Sequence, residues 1–412
     1  MYEMDKLEER VILVGVQLRD DDDTESSLYE LEELAFTAGA ATVAKVIQNR
    51  ASIHAGTYIG KGKLDEIRQL IALYDATGII CDDELSPAQY NNLEQELNCK
   101  VMDRTLLILD IFAGRATSSE GKIQVELAQL RYRAARLTGL GNSLSRLGGG
   151  IGTRGPGEKK LEMDRRLIKT RISQLKAELA DVKKHRELIR GQRKNGRLKV
   201  AAIVGYTNAG KSTLLNRLTG AGVLEEDKLF ATLDPTTRVL DLSGDQQILL
   251  TDTVGFIRKL PHHLIEAFRS TLEEAKYADV LIHVVDASSP WMEEQMYVVY
   301  ETLRELGVSD KKVITLFNKQ DKIEHPEHLR DFKADYVQNI SARTGEGLEE
   351  FKKILEEIIL DGQIYIERIF PYAQAGKIQQ IRTYGQVLSE EYTDQGIEVK
   401  AYVPMEIYHK VT

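Results

Sequence analysis

The stretch that decides the fold is Leu198-Lys-Val-Ala-Ala-Ile-Val204, which runs directly into Gly205-Tyr-Thr-Asn-Ala-Gly-Lys211-Ser212-Thr213. The first half predicts a buried strand, and a helix is expected from Leu214 to Leu218. The second half matches the phosphate-binding pattern G-x-x-x-x-G-K-[ST] in its required context between strand and helix. Glycines let backbone N–H groups turn toward phosphates, Lys211 supplies positive charge, and the Ser212 hydroxyl is a Mg²⁺ ligand. The residues expected at the phosphates are Gly205, Tyr206, Thr207, Asn208, Ala209, Gly210, Lys211, Ser212 and Thr213.

A second motif follows the apolar strand Gln247 to Asp252, which ends in Asp252-Thr253-Val254-Gly255. An Asp at this place can hold Mg²⁺ through water, and the Gly255 N–H can reach a γ-phosphate. Its position 41 residues after Lys211 makes the short pattern informative. Two further apolar strands, Val280–Asp286 and Lys312–Asn318, are typical of a sheet covered by helices on both faces.

The identity of the base is indicated by Asn318-Lys319-Gln320-Asp321, at the end of the last of these strands. The Asp321 carboxylate can accept two hydrogen bonds from a guanine ring, a pattern that adenine cannot supply. After the predicted strand Tyr336–Ile340, a backbone N–H within Ser341-Ala342-Arg343 can meet the guanine carbonyl, while Lys319 lies along the base. The motif therefore favours GTP over ATP.

These four motifs, in this order, resemble the Ras-like G domain of translation-factor-class GTPases over about residues 198–360. Such domains carry a switch threonine that reaches Mg²⁺ only when the γ-phosphate is present. The candidates are Thr232, Thr236 and Thr237. The string Phe230-Ala231-Thr232-Leu233-Asp234 resembles the switch of the Obg–HflX superfamily. That resemblance implies Ser212 and Thr232 as metal ligands, and catalysis carried by Lys211, Thr232, Asp252 and Gly255.

Phe256 departs from the Ras pattern, which has Gln after the glycine to position the attacking water. Because a phenyl ring cannot orient water, we expect slow hydrolysis in the free protein and stimulation by a partner. His262 and His263 are either alternative bases or ordinary exposed residues of the second switch.

Length and composition set the wider frame. At roughly 100 to 200 residues per domain, 412 residues allow several domains, and 42% hydrophobic with 29% charged residues is ordinary for a globular protein. Cys81 and Cys99 are too few for a disulfide framework or a four-cysteine zinc site. The charged beginning of the chain and the lack of an apolar run of about 18 residues predict a cytoplasmic protein.

The N-terminal region alternates apolar and amphipathic runs, which predicts an α/β domain with a mostly parallel sheet over residues 1–115. The Gly60–Lys63 stretch before a helix is a weak phosphate-site candidate, and an ordinary turn is the better interpretation. The predicted strands are Val11–Leu18, Thr42–Ile47, Gly78–Cys81 and Lys100–Met102, and the predicted helices are Ser26–Ala38, Lys63–Tyr74 and Pro87–Leu97.

The middle of the chain is strongly basic although the net charge is −9. Residues 131–199 hold 20 Lys plus Arg against 6 Asp plus Glu, which favours a polyanion partner over a merely solvated helix. We expect a helical hairpin over residues 116–197: a helix from Leu106 to Leu137 broken near Gly121, a long loop from Gly139 to Gly157, and a helix from Glu158 to about Arg190. The loop is either a flexible linker or a phosphate-wrapping segment. The candidate RNA contacts are Arg146, Arg154, Lys159, Lys160, Arg165 and Arg166.

Nearly the whole chain resembles the bacterial HflX family. The resemblance rests on the string Gly149-Gly-Ile-Gly-Thr-Arg-Gly-Pro-Gly-Glu-Lys-Lys160 before a basic helix, on Phe-Ala-Thr-Leu-Asp234 and on Asp-Thr-Val-Gly-Phe256. It implies binding to the large ribosomal subunit and its rRNA, stimulation of the GTPase by the ribosome, and a role in ribosome splitting or rescue, translation or ribosome biogenesis. It also implies ATP use by the N-terminal domain, for which the sequence has no second phosphate loop.

The expected architecture is α/β: an N-terminal α/β domain with a helical hairpin, a central Ras-like P-loop G domain over 198–362, and a small α+β domain over 363–412, in a monomer. The last domain either caps the G domain or docks on a ribosomal element. Two other functions stay open. One is a GTPase signalling switch for a non-ribosomal protein, with the basic helix only packed in a hairpin; the other is an N-terminal domain that is an independent enzyme, which no carboxylate pair or metal cluster supports.

Overall fold

The computed structural model describes residues 9–18, 23–145, 156–194, 198–220, 222, 229–243, 246–260, 272–323 and 329–411, with backbone only for 138–145, 156–161, 183, 185–194 and 386. The chain divides into two compact units. The first comprises Met1–Lys184, Glu226–Asp234 and Val254–Thr271, and the second comprises His185–Glu225, Pro235–Thr253 and Leu272–Thr412. Two short segments near the nucleotide motifs therefore belong to the first unit.

The first unit contains a sheet of four parallel strands in the order β2-β1-β3-β4. Each strand is followed by a helix, so the apolar strand faces are covered, and Ile12, Val14 and Ile79 are almost completely buried. The predicted parallel α/β domain is confirmed. The elements are β1 (Glu9–Gln17), α1 (Thr24–Thr37), β2 (Ala40–Asn49), α2 (Lys61–Tyr74), β3 (Gly78–Cys81), α3 (Pro87–Leu97), β4 (Lys100–Asp103) and α4 (Arg104–Arg115).

Side-chain caps fix where these helices begin. Asp23 accepts a hydrogen bond from the Ser26 N–H at the start of α1, and Asp103 accepts one from the Leu106 N–H at the start of α4. Ser86 and Gln89 form a reciprocal capping box before α3. Each cap satisfies an N–H group that has no partner within its helix, which stabilises the helix by about 1 kcal/mol.

Two long helices follow, α5 (Ser119–Ser145) and α6 (Pro156–Lys194). The predicted long loop from Gly139 to Gly157 was wrong at both ends, because α5 continues through its first glycines and α6 begins at Pro156, where the missing proline N–H costs nothing. The predicted break near Gly121 lies instead just before α5. Arg171 on α6 donates two hydrogen bonds to Glu126 on α5, at 2.7 and 2.9 Å, so the two helices contact each other.

The second unit contains a six-stranded sheet in the order β10-β9-β8-β5-β7-β6, parallel except for β6. Its apolar strands pack against helices around Ile203, Ile282 and Leu316. The carboxyl ends of the parallel strands share one edge, which brings the sequence motifs together. The elements are β5 (Lys199–Gly205), α7 (Lys211–Thr219), β6 (Thr236–Asp241), β7 (Gln247–Asp252), β8 (Val280–Asp286), α8 (Met292–Glu305), β9 (Lys312–Asn318), β10 (Tyr336–Asn339) and α9 (Leu348–Leu360).

The chain ends in a small antiparallel sheet with its own core around Ile366, Val399 and Ile378. The order β-α-β-β fits the predicted small α+β domain, and a last helix that the sequence analysis did not predict covers the same core. The elements are β11 (Gln363–Phe370), α10 (Ala375–Tyr384), β12 (Gln386–Thr393), β13 (Gly396–Pro404) and α11 (Met405–Val411). Within the described part of the chain, every helix is too short or too polar to cross a bilayer.

A buried ion pair stabilises the first unit. A variant that removes the pair tests how much it contributes to the free energy of unfolding. Arg104 lies 2.6 Å from Asp82 and 2.5 Å from Glu30, and Arg104 and Asp82 are almost fully buried. We expect Arg104→Met to lower the free energy of unfolding by about 3 to 5 kcal/mol, because it removes the buried guanidinium group that both carboxylates bind. Burial raises the pKa of Asp82, but the charges of Arg104 and Lys259 outweigh it and lower the pKa to about 2.

The lowered pKa of Asp82 determines the direction in which this stabilisation changes with pH. A folded-state pKa below the ordinary value contributes stability above pH 4, and the contribution disappears as the pH falls toward 2. The difference between wild type and Arg104→Met, measured by denaturant unfolding, should therefore shrink over that range. Arg68→Met, which breaks an exposed pair with Asp65, is the control and should cost less than about 1 kcal/mol. An equal loss in both variants would contradict the prediction.

Candidate functional site

The loop between β5 and α7 is shaped by a glycine at its end. Gly210 has φ +95°, and a Cβ there would lie 2.3 Å from the side-chain nitrogen of Asn318. Both the backbone conformation and the close approach therefore require glycine. Gly210 gives α7 no side-chain cap, so the positive end of the helix dipole is open to an anion.

Lys211, the first residue of α7, is buried beside this loop. Its Nζ donates a hydrogen bond to the Tyr206 carbonyl oxygen at 2.7 Å. Burial lowers the pKa of Lys211 to about 8, and the negative charge of Asp252 opposes that shift. A poorly solvated ammonium group of this kind gains by binding a polyanion, since phosphate oxygens replace the solvation that burial removed.

The next residue, Ser212, meets the end of β7. Its hydroxyl donates to Asp252 Oδ2 at 2.8 Å, and Asp252 is completely buried. The neighbouring Thr253 hydroxyl donates to the Ile203 carbonyl oxygen at 2.7 Å and fixes the end of β7 against β5. A hydroxyl and a carboxylate side by side form a hard oxygen donor set, and this chemistry fits Mg²⁺.

Asn318 joins the phosphate loop to the predicted base-binding loop. Its Oδ1 accepts a hydrogen bond from the Ala342 N–H at 2.9 Å, and its Nδ2 donates to the Ala209 carbonyl oxygen at 2.8 Å. Asp321 Oδ1 accepts a hydrogen bond from the Ser341 hydroxyl at 2.7 Å. The two base-recognition motifs are thus fixed to each other and to the phosphate loop by three hydrogen bonds.

Sequence reasoning missed Asp286 as a participant in this region. Lys319, in a left-handed conformation at φ 65°, places its ammonium group 2.6 Å from Asp286 Oδ2. Asp286 had a detectable signal: it ends β8, and it is paired in register with Asn318 of β9.

The predicted site residues are divided between the two units. The second unit holds Gly205–Thr213, Asp252, Thr253, Asn318–Asp321 and Ser341–Arg343, whereas Phe230–Asp234, Val254 and Gly255 belong to the first unit. The carboxylate of Asp234, which ends the predicted switch string, accepts hydrogen bonds from Thr117 and Ser118.

Only two of the RNA-contact candidates have side chains within the described part of the structure. Arg165 donates to the Leu137 carbonyl oxygen, and Arg166 is exposed. Arg146, Arg154, His262, His263 and the side chains of Lys159 and Lys160 lie outside the described residues.

The buried ammonium group of Lys211 predicts proton uptake when a nucleotide binds. Phosphate oxygens should raise its pKa from about 8, so GDP affinity should fall as the pH rises above 8. Calorimetry at pH 8 in two buffers of different ionisation enthalpy measures this uptake directly. Lys211→Arg is the control, because a guanidinium group stays charged and should remove the uptake; buffer-independent heats for the wild type would contradict the assignment.

Three family descriptions match successive parts of the chain: GTP-binding GTPase N-terminal at residues 25–113, GTP-binding GTPase Middle Region at 115–193, and 50S ribosome-binding GTPase at 200–319. A GTPase HflX of Lacrimispora saccharolytica is 67% identical over 99% of this chain and 96% of its own length. The GTPase HflX of Escherichia coli K12 is 40% identical over 97% of this chain and 94% of its own.

Among solved structures, a GTP-binding protein from the archaeon Sulfolobus solfataricus in complex with GDP is 27% identical, with a TM-score of 0.45, over 85% of this chain and 99% of that one. The family assignment rests on the sequence relatives, whose similarity extends over all the regions described above. Together with the guanine-nucleotide motifs assembled on the second unit, that similarity places the chain in the HflX family of GTPases.

Proposed function

We propose that this GTPase is a GTP-dependent switch that binds the large ribosomal subunit through rRNA and acts in ribosome splitting or rescue, translation or ribosome biogenesis. The observation that carries the proposal is the match of residues 200–319 to the family described as 50S ribosome-binding GTPase. The surplus of positive charge over residues 131–199 supports an RNA partner, because Lys and Arg neutralise phosphates. The protein acts as a cytoplasmic monomer.

In the proposed site, this chain's residues bind and orient GTP. The amides from Gly205 to Thr213 and the Lys211 ammonium group hold the phosphates, and Asp321 accepts hydrogen bonds from the guanine ring. Ser212 and Thr232 are the proposed ligands of Mg²⁺, and Asp252 holds it through water. When bound, Mg²⁺ would supply positive charge that offsets the negative charge developing on the phosphate oxygens.

Hydrolysis by the free protein is expected to be slow. Phe256 follows Gly255, is 1% exposed and has no polar group with which to orient water. The Gly255 N–H is the proposed contact to the γ-phosphate. A ribosomal component must then supply or arrange the group that positions the water.

A second candidate function is a switch for a non-ribosomal protein partner. One observation favours it: two basic side chains of α6, Arg165 and Arg171, are used to bind α5, through the Leu137 carbonyl oxygen and Glu126. In that case the positive charge of α6 serves the packing of two helices. The discriminating measurement is whether isolated large subunits accelerate hydrolysis.

The first test removes basic charge from the segment at the start of α6. Replacing Arg154, Lys159 and Lys160 together with Ala should reduce GTP-dependent co-sedimentation with large ribosomal subunits and lower the salt slope of binding by roughly 2 to 3. The control replaces Arg304, Lys333 and Lys353, three exposed cations of the second unit, with Ala. GDP affinity should be unchanged in both variants. Equal pelleting of both variants would eliminate the RNA assignment.

The second test concerns the base. Asp321→Asn keeps the size of the side chain but replaces one acceptor oxygen with a donor, so we expect GTP affinity to fall by roughly 100-fold or more. Equilibrium titration with a fluorescent GTP derivative measures the loss. Asp310→Asn, at an unrelated position in the same unit, is the matched control. Retained GTP affinity would mean that Asp321 does not read guanine.

A further inference from the structure

The segment Leu229–Asp234, which carries the proposed switch threonine, ends in a carboxylate with an unexpected set of partners. Asp234 Oδ2 accepts hydrogen bonds from the Thr117 N–H at 3.0 Å, the Thr117 hydroxyl at 2.8 Å and the Ser118 N–H at 2.8 Å. Asp234 Oδ1 accepts one from the Ser118 hydroxyl at 2.5 Å. Both oxygens are therefore used within the first unit, by residues 116 and 117 positions away.

The partner residues form the beginning of α5. The Ser118 hydroxyl accepts a hydrogen bond from the Gly121 N–H at 2.8 Å, and the Ser118 carbonyl oxygen accepts one from Lys122 at 3.0 Å. Ser118 is thus the N-cap of α5, and Asp234 holds this cap in place while adding negative charge at the positive end of the helix. Burial raises the pKa of Asp234, but the hydrogen bonds from Ser118 and Thr117 outweigh it, and the net shift is downward.

Gly121 leaves room for this contact. A Cβ at this position would lie 2.5 Å from Asp234 Oδ1 and 3.1 Å from the Ser118 hydroxyl oxygen. Gly121 is buried in the first turn of α5, where alanine favours a helix more than glycine does. Glycine at position 121 therefore does not stabilise α5 itself. It is required because any side chain there would displace the Asp234 carboxylate.

The beginning of the same segment is also attached to the first unit. The Phe230 ring packs edge-on against Phe112 of α4, with ring centroids 4.7 Å apart, and the Leu229 N–H donates to the Thr37 hydroxyl at 3.3 Å. Leu229, Phe230 and Leu233 are buried. Thr232 therefore lies between two attachment points, and two residues of chain span at most about 7 Å between it and Asp234.

We propose that Asp234 is a positioning residue: its carboxylate, held by the N-cap of α5, keeps the switch loop ordered so that Thr232 is restrained before GTP binds. This inference rests on the proposed function of Thr232 as the threonine that responds to the γ-phosphate. A loop ordered in advance loses less conformational entropy on binding. The anchor therefore favours GTP, which engages Thr232, and is neutral for GDP, which does not.

Two variants remove the anchor in different ways. Asp234→Ala removes both acceptor oxygens, so that none of the hydrogen bonds from Thr117 and Ser118 can form. Gly121→Ala leaves Asp234 unchanged but displaces its carboxylate, and it should make α5 intrinsically more favourable. A shared effect of both variants on nucleotide binding cannot come from a weakened helix alone. Ser86→Ala, which removes the cap of α3 and leaves Asp234 intact, is the control for the loss of a helix cap.

The experiment is calorimetric titration of the full chain, in Mg²⁺, with GDP and with a non-hydrolysable imido analogue of GTP. We expect both anchor variants to bind the analogue roughly tenfold more weakly and GDP within roughly twofold of wild type, and Ser86→Ala to change neither. Hydrogen exchange of the peptide around Leu229–Asp234 should be faster in both anchor variants without nucleotide.

The outcomes separate this inference from the function on which it rests. If the wild type prefers the analogue in Mg²⁺ and the anchor variants keep that preference, the positioning role is wrong and the switch function stands. Tighter analogue binding by the variants would equally overturn it, because the anchor would then oppose the GTP state. If the wild type binds neither nucleotide, the proposed function fails and this inference fails with it.

Discussion

Asn318 is the side chain on which the nucleotide-binding surface of the second unit depends. Its amide connects the Ala209 carbonyl oxygen in the phosphate loop to the Ala342 N–H in the loop after β10, through hydrogen bonds of 2.8 and 2.9 Å. This arrangement brings the Asn318 side-chain nitrogen so close to Gly210 that any side chain at position 210 would clash with it. Because the amide is buried, both hydrogen bonds are shielded from water, so the spacing between phosphate and base motifs is held by the fold before any ligand binds.

In the first unit, a cluster of charged side chains connects segments that lie far apart in the sequence. Asp82 accepts hydrogen bonds from Arg104, from the Ser27 hydroxyl and from Lys259, and Arg104 also binds Glu30. Lys259 lies a few residues after Gly255, and the adjacent Arg258 donates to the Ser26 hydroxyl at 2.8 Å. The segment after the Asp252–Gly255 motif is thus attached to α1 and to the loop after β3 through hydrogen bonds that Arg258 and Lys259 donate to hydroxyl and carboxylate oxygens.

Both segments that follow nucleotide motifs have this property. Leu229–Asp234 is attached through Asp234 and Phe230, and the stretch after Val254 through Arg258 and Lys259. The hydrogen bonds at Asp234 and Lys259 are partly exposed, whereas the rings of Phe230 and Phe112 are buried, so polar and apolar contacts together hold these segments in place.

The sequence by itself determined the motifs, the parallel α/β sheets and the guanine preference, because each depends on local patterns: apolar runs for buried strands, glycines for positive φ, and a fixed order of strand ends along the chain. It failed at the ends of α5 and α6, since glycine content was given more weight than the continuity of a packed helix. Only the tertiary structure decided the partners of Asp234, Lys319 and Lys259. These contacts join residues that lie 33 to 177 positions apart in the sequence. A local sequence pattern predicts the element on which a side chain lies but not the distant group that it contacts.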